Sequence, residues 1–366
     1  MSAGGQAPLV MLAAGGTGGH LFPAEALSHA LHGHGVRVAL ITDTRAADYA
    51  GNFPAESIHA VPAATPSGKS PVAMAKAALV LLRGVLAARQ AIKRLKPAIV
   101  VGFGGYPTVP PVFAATLMGV PAMVHEQNAV IGRANRFLAG RVRAIATGFA
   151  EVGGLTPAQA AKCTQVGNPV RPAVIAAASP YPAPEGRLNL LVFGGSQGAR
   201  VMADIVPPAI QLLSPEERAR LSIVQQARSE DDDRVRKIYT SLGIRCEIAP
   251  FFKDLPARMA ASHLVVARSG ASTVAELSVI GRPSLLVPLP GSLDQDQAAN
   301  AAVLARAGGA MMILQSDFSP RRLAGELSAL LAEPSRLTAM AEAAKSAGIP
   351  DAADRLARLV LQTAQH

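Results

Sequence analysis

Short, mostly apolar runs, each followed by a stretch of helical periodicity, recur along the whole chain. They read "LVMLAA" (9–14), "VRVALIT" (36–42), "AIVVGF" (98–103) and "AMVHEQ" (122–127), then "LNLLVF" (188–193), "LSIVQQ" (221–226), "LVVARS" (264–269) and "SLLVPL" (284–289). Runs of this length are strands buried on both faces, and strands that alternate with helices form parallel sheets. The first run leads into "GGTGGH" and the fifth into "GGSQGA", and Gly194 follows Gly15 by 179 residues in a chain of 366. The pattern predicts two similar Rossmann-like α/β domains in tandem. The first is expected over 1–170 and the second over 188–349. Between them "RPAVIAAASPYPAPEGR" (171–187), with four prolines, reads as a semi-rigid linker. Ligands of open α/β sheets bind beyond the carboxyl ends of the strands, so two such edges facing each other predict an interdomain cleft.

A chain of this length exceeds what one core holds, and a composition half hydrophobic supplies two. The formal charge of +10 suits an anionic partner, whereas 4% aromatic residues and no Trp leave little for base stacking and argue against nucleic acid. Cys163 and Cys246 stand apart, without a CxxC, which fits a reducing compartment. The first 19 residues hold no Lys or Arg and the first apolar run meets glycine, so no secretory signal is expected. Residues 97–124 carry no charge over a length that would cross a bilayer. Their glycines and prolines divide them into a strand to about Phe103, a helix near 109–118 and a second strand from about Ala122, each too short to span.

The glycine loops suggest phosphate cradles, because glycine permits close backbone approach and free N–H groups at a helix start attract anions. A dinucleotide fingerprint would need Gly or Ala where Leu21 stands, and a P-loop would need Lys-Ser/Thr at Leu21 and Phe22, so "GGTGGH" is a third kind of loop. The segment "ARSGASTVAELSVIGRPSLLVPLPGSLDQDQAANA" (267–301) is the most informative. Its strand is expected to end at Arg268, "SGAS" supplies an N-cap, and Glu276 follows about one turn into a helix. A diphosphate suits that helix N-terminus, and the carboxylate suits a ribose diol. Ser272 with Glu276 could instead be capping, although the capping-box spacing is three. Gln297 and Asn300, three apart, share a helical face where carboxamides could meet sugar hydroxyls.

"GGTGGHLFPA", "GFGGYPTVPP", "HEQNAVIGRANR", "GNPVR", "GGSQGA" and "RSGASTVAE", in this order, closely resemble the MurG family, the cytoplasmic N-acetylglucosaminyltransferases of peptidoglycan precursor synthesis. The resemblance covers nearly the whole chain. It implies a GT-B fold, with UDP-N-acetylglucosamine held mainly by the second domain and an undecaprenyl-diphosphate-linked muramyl pentapeptide by the first. A C-terminal helix near 350–366 is expected to return to the first domain. The implied donor contacts are Thr17, Gly18, Gly19, Asn128, Arg171, Ser196, Phe252, Ala271, Ser272, Thr273, Val274, Ala275, Glu276 and Gln297. Some members carry two adjacent glutamines where this chain has Asp296 and Gln297, which puts the first of those contacts in question.

Transfer from a sugar nucleotide needs a base for the acceptor hydroxyl and charge relief for the departing UDP. His20 titrates in the useful range and follows the first loop, so it is the first candidate base; Glu126, at a strand edge beside His125 and Asn128, is the second. Arg171 and the loop N–H groups suit the diphosphate. No cofactor is implied, and no metal is expected: "DDD" (231–233) before "RVRK" reads as a helix start, and "DQD" (294–296) is the better-placed rival.

In "KSPVAMAKAALVLLRGVLAARQAIKRLK" (69–96), Met74, Ala78, Leu81 and Val85 recur at helical spacing among Lys76, Arg83, Arg89, Lys93, Arg94 and Lys96. Composition alone favours a core-facing helix. The lipid-anchored acceptor implied by the family turns the reading to a helix on an anionic membrane surface, at the cytoplasmic face of the inner membrane. The rival readings are another GT-B glycolipid glycosyltransferase, a nicotinamide-dependent oxidoreductase with Asp43 as its ribose acid, and a non-catalytic lipid adaptor.

Overall fold

The computed structural model describes residues 7–15, 18–44, 53–63, 70–195, 198–292 and 295–365. Two compact units result, Met1–Arg171 with Pro350–His366, and Pro172–Ile349. In the first, strands β1 (Leu9–Ala13), β2 (Arg37–Asp43), β3 (Ser57–Val61), β4 (Ile99–Gly102), β5 (Ala122–Glu126), β6 (Ala144–Thr147) and β7 (Cys163–Gln165) form one sheet in the order 3-2-1-4-5-6-7. In the second, β8 (Leu188–Phe193), β9 (Leu221–Gln226), β10 (Arg245–Ala249), β11 (Leu264–Ala267), β12 (Ser284–Leu286) and β13 (Ala310–Met312) take the order 10-9-8-11-12-13. Every pairing among these strands is parallel. In both sheets the strand order reverses beside the first strand, between β1 and β4 and between β8 and β11. That switch point is where loops splay apart and leave room for a ligand.

Alternation along β1 explains why its run is wholly apolar. Val10 and Leu12 enter a core with Leu27 and Leu31 of the helix Gly18–Gly33 and Leu356 and Val360 of the helix Ala352–Gln365. Met11 and Ala13 face the opposite core, with Ala88 and Ile92 of the helix Pro71–Leu95 and Val112 of the helix Val109–Leu117. Each face is covered by helices, so no position of β1 meets water. In the second unit Leu190 and Val192 of β8 pack with Met202, Val235 and Leu323 from three helices.

The uncharged segment 97–124 resolves as the sequence predicts, into β4, the helix Val109–Leu117 and β5. No helix among the described residues is long and apolar enough to cross a membrane. The segment read as a linker contains a helix, Pro172–Ala177, packed on the helices Leu255–Ala261 and Ala271–Ile280. The buried guanidinium of Arg282 fastens the residues after it, donating to the Ser179 hydroxyl at 3.2 Å and to its carbonyl at 3.4 Å.

Candidate functional site

At the switch point of the first sheet the chain leaves β1 through Gly15. A Cβ there would lie 2.7 Å from Thr42 Oγ1 and 2.8 Å from Asp43 Oδ1, so only glycine lets the strand end pass β2. Asp43 is thereby buried beside the strand end. The helix Gly18–Gly33 then begins, with Gly18, Gly19 and His20 as its first three residues. The loop after β4 closes on the His20 ring: Gly104 and Gly105 have φ of 83° and 71°, and a Cβ on Gly105 would sit 3.2 Å from Nε2. Nδ1 of His20 is buried and has no hydrogen-bond partner among the described residues. Burial pulls its pKa below 6.5, opposed by the Phe103 carbonyl and the Gln127 side chain, so the ring is neutral at pH 7.

The end of β5 supplies four consecutive polar side chains with separate tasks. His125 is fully buried, its Nε2 3.0 Å from the Gly167 carbonyl, and burial pushes its pKa down to about 4. Gln127 Nε2 donates to the Phe103 carbonyl at 2.9 Å and to His125 Nδ1 at 3.2 Å. Glu126, on the opposite side of the strand, accepts from the Asn128 N–H at 2.9 Å and Asn128 Nδ2 at 3.2 Å through Oε1. Its Oε2 accepts from the Gly132 N–H at 2.9 Å and Asn135 Nδ2 at 2.8 Å. Burial raises the Glu126 pKa, and these four bonds oppose the rise. Asn168 Nδ2 donates to the Gln127 carbonyl at 2.9 Å, so Gly167 and Asn168 of "GNPVR" both brace this segment. Arg171 places its guanidinium carbon 4.1 Å from the centroid of the Phe22 ring.

The switch point of the second sheet is built around Gln226. Its Oε1 accepts from the Gly194 N–H at 2.9 Å, and its Nε2 donates to the carbonyls of Gly195 and Pro250, each at 3.0 Å. One carboxamide thus joins the glycine loop after β8 to the turn carrying Phe251 and Phe252. Phe252 is buried, with the Arg258 guanidinium 4.3 Å from its ring centroid, whereas Phe251 is 59% exposed. After β11, Arg268 is buried and donates to the Val287 and Pro288 carbonyls, both at 3.0 Å, and to Gln315 Oε1. The helix Ala271–Ile280 follows, its N-cap Gly270 and its first N–H groups without a side-chain cap.

The glycosyltransferase family 28 N-terminal domain matches residues 10–147 of this chain, and the glycosyltransferase family 28 C-terminal domain matches residues 189–356. A protein of Methylobacterium sp. (strain 4-46) named "UDP-N-acetylglucosamine--N-acetylmuramyl-(pentapeptide) pyrophosphoryl-undecaprenol N-acetylglucosamine transferase" is 62% identical over 98% of this chain and 97% of its own. A protein of the same name from Rhodopseudomonas palustris (strain BisB18) is 60% identical over 98% of this chain and 96% of its own. The crystal structure of MurG from Acinetobacter baumannii superposes with a TM-score of 0.80 at 27% identity, covering 97% of this chain and 99% of that one. This chain belongs to the MurG family of glycosyltransferases. Its two parallel-sheet units are the Rossmann-like domains of the GT-B fold.

The contacts expected for a MurG divide between the units. Gly18, Gly19, His20, Glu126, Asn128 and Arg171 lie on the first; Phe252, Ala271, Ser272, Thr273, Val274, Ala275, Glu276 and Gln297 lie on the second. Thr17 and Ser196 lie outside the described residues. Two expectations need correction. Glu126 is not an open base, because the four bonds above use both of its oxygens. Gly270 of "SGAS" holds the N-cap without a side chain and Ser272 lies inside the helix, so the rival capping reading of Ser272 with Glu276 does not hold. Asn300 is buried and donates from Nδ2 to the Ser269 carbonyl at 3.2 Å, which ties the helix Asp296–Arg306 to the loop after β11. Gln297 Oε1 accepts from the Leu289 N–H at 3.1 Å, and the Gln297 carbonyl accepts from Ser269 Oγ at 2.8 Å. Of the acidic triplets, Asp231 and Asp232 pair with Arg234 and Arg236 at 2.7 and 3.0 Å, while Asp294 lies outside the described residues. Gln127, Gln226 and Arg268 were not anticipated; each is a polar side chain at the end of an apolar run.

Proposed function

We propose that this chain transfers N-acetylglucosamine from UDP-N-acetylglucosamine to the 4-hydroxyl of the muramyl sugar on an undecaprenyl diphosphate carrier, with inversion at the anomeric carbon. The observation that carries this reading is the 62% identity to a transferase of that name over nearly the full length of both chains. The acceptor oxygen attacks the anomeric carbon and the bond to the β-phosphate oxygen breaks, with its electrons leaving on UDP. The proton of the 4-hydroxyl passes to His20, whose neutral imidazole is ready to take it. Negative charge on the leaving UDP is relieved by Arg171, by the glycine-loop N–H groups and by the uncapped start of the helix Ala271–Ile280. Glu276, buried in that helix, suits the ribose diol, and Phe252, its ring already packed, contributes through its backbone. No step requires a metal.

The same reading puts the helix Pro71–Leu95 on a membrane. Met74, Leu79, Leu82 and Leu86 are 49–60% exposed along it, and Leu117, at the end of the helix Val109–Leu117, is 67% exposed. With the exposed Lys76, Arg83 and Arg89 beside them, they suit the headgroup region of an anionic bilayer. Such a surface brings the enzyme to its acceptor at the cytoplasmic face. Transfer of radiolabelled sugar from UDP-N-acetylglucosamine to the lipid-linked muramyl pentapeptide tests the whole reading. Label appearing only on other glycolipids, or none at all, overturns it.

A further inference from the structure

Two loops of the second unit are held by one side chain. Gln226, the last residue of β9, is 5% exposed; its Oε1 accepts from the Gly194 N–H at 2.9 Å, and its two amide hydrogens go to the Gly195 and Pro250 carbonyls, each at 3.0 Å. A flipped amide would set oxygen against two carbonyls and hydrogens against an N–H, so the orientation is fixed. With both hydrogens used, Gln226 has none left for a ligand. The Gly195 carbonyl also accepts from the Gly198 N–H at 3.1 Å, and a Cβ on Gly194 would lie 2.2 Å from the Ala199 nitrogen. Gly194, Gly195, Gly198 and Ala199 are thus packed against one another and shift together. A displacement of the turn at Pro250 reaches all of them through the carboxamide.

We propose that Gln226 is a positioning residue that couples recognition of the nucleobase to charge relief at the diphosphate: a uracil seated against the backbone of the turn Pro250–Phe252 sets the N–H groups of the glycine loop for the departing UDP. This rests on the donor reading above. Uracil presents an N–H between two carbonyls, an edge that backbone groups match, and the loop after β8 offers N–H groups to phosphate. Because one carboxamide joins the two, part of the binding energy of the base appears in kcat and not in KM alone. Gln226 never touches the donor; it acts through the loop.

The test compares UDP-N-acetylglucosamine with CDP-N-acetylglucosamine, which differs at the base alone, as donors for the full-length protein at saturating lipid-linked acceptor. In the wild type the cytosine donor should show a kcat about ten-fold lower as well as a higher KM. Gln226→Met removes all three bonds, so both donors should turn over at a similar kcat, about ten-fold below the wild-type value with the uracil donor, while the difference in KM persists. A loss of packing alone would lower both kcat values and leave their ratio unchanged. Gln226→Glu still accepts from the Gly194 N–H but, ionised, has no hydrogen for the two carbonyls; its kcat ratio should approach one at high pH and recover as pH falls and the carboxyl gains a proton. Wild-type donors that differ in KM only, or a Gln226→Met protein that keeps the wild-type kcat ratio, would overturn the coupling. If Gln226→Met does not fold, the wild-type ratio and Gln226→Glu decide. Should the wild type transfer sugar from neither donor, the donor reading itself falls and the coupling with it, an outcome distinct from transfer without discrimination in kcat.

Discussion

Asn135 donates a 2.8 Å hydrogen bond to Oε2 of Glu126, and the same carboxylate oxygen holds the Gly132 N–H at 2.9 Å. With Asn128 on Oε1, the carboxylate gathers the whole 127–132 loop around itself. A buried carboxylate is costly unless hydrogen-bonded, and here four donors compensate it. The carboxylate at the strand edge, read from sequence as a reserve base, is the fold's means of shaping the loop.

Replacing Glu126 by Gln keeps the shape but turns one acceptor into an NH2 group that faces donors. Folding stability should fall by about 2 to 3 kcal/mol, measured by denaturant unfolding with an unchanged m-value. The acidic limb of kcat/KM in the folded variant should stay where it is. A variant of wild-type stability that lost the limb would return the base role to Glu126.

His125 makes stability pH-dependent. Its folded pKa of about 4 lies below the ordinary 6.5, so between those values the unfolded chain binds the extra proton. The stabilisation is complete above about pH 6.5 and is lost as pH falls toward 4, by about 3 kcal/mol in all. His125→Phe should be less stable at pH 7 yet show a flatter profile between pH 6.5 and 4. Parallel profiles for the two proteins would refute the assignment.

Central strands were legible because they are buried on both faces: every residue of β1, β4, β5 and β11 is buried, and their runs are nearly pure. The edge strands β3 and β10 alternate mostly between half-buried and exposed positions and β7 is largely exposed, so none leaves a continuous run. The helix Pro71–Leu95 was legible in existence but not in orientation. The stripe read from spacing, Met74, Ala78, Leu81 and Val85, is exposed or half-buried; the structure buries Ala77, Gly84, Ala88, Ala91 and Ile92. A Cβ on Gly84 would lie 2.1 Å from the Pro62 carbonyl. Close backbone approach selects the small residues for the contact and turns the leucines outward.

At the site, glycine loops announce themselves through composition, whereas a glutamine ending a strand does not. Gln127 and Gln226 acquire meaning only from partners far away in sequence, such as Phe103 and Pro250, which the sheet order brings beside them. Helix starts were placed correctly in outline, but Gly270 rather than a serine begins the helix Ala271–Ile280, which leaves its N–H groups available.

If the outward leucines and their basic neighbours meet lipid, replacing Lys76, Arg83 and Arg89 with Glu should weaken binding to anionic vesicles by about 1 kcal/mol for each charge removed. Turnover of a short-chain, soluble acceptor should be unaffected. Unchanged vesicle binding would leave the exposed stripe without that role.

Glu276→Ala should weaken UDP binding by about 1.5 to 3 kcal/mol, the scale of a hydrogen bond to a charged group. Calorimetric titration with UDP alone reads this without any acceptor. Unchanged affinity in a folded variant would exclude the ribose contact.

His20→Asn retains some hydrogen bonding but cannot accept a proton at neutral pH, so kcat should fall by roughly 10² to 10⁴ while donor affinity stays nearly constant. The base must be unprotonated to work, so activity falls as pH drops through its pKa, and burial places that limb below pH 6.5. The limb reports proton transfer only if chemistry is slow, which the absence of a viscosity effect on kcat/KM would establish. A loss appearing as weaker donor binding, with kcat near normal at saturation, would make His20 a holder of the diphosphate or its loop. Wild-type kcat with the limb intact would remove His20 from catalysis altogether.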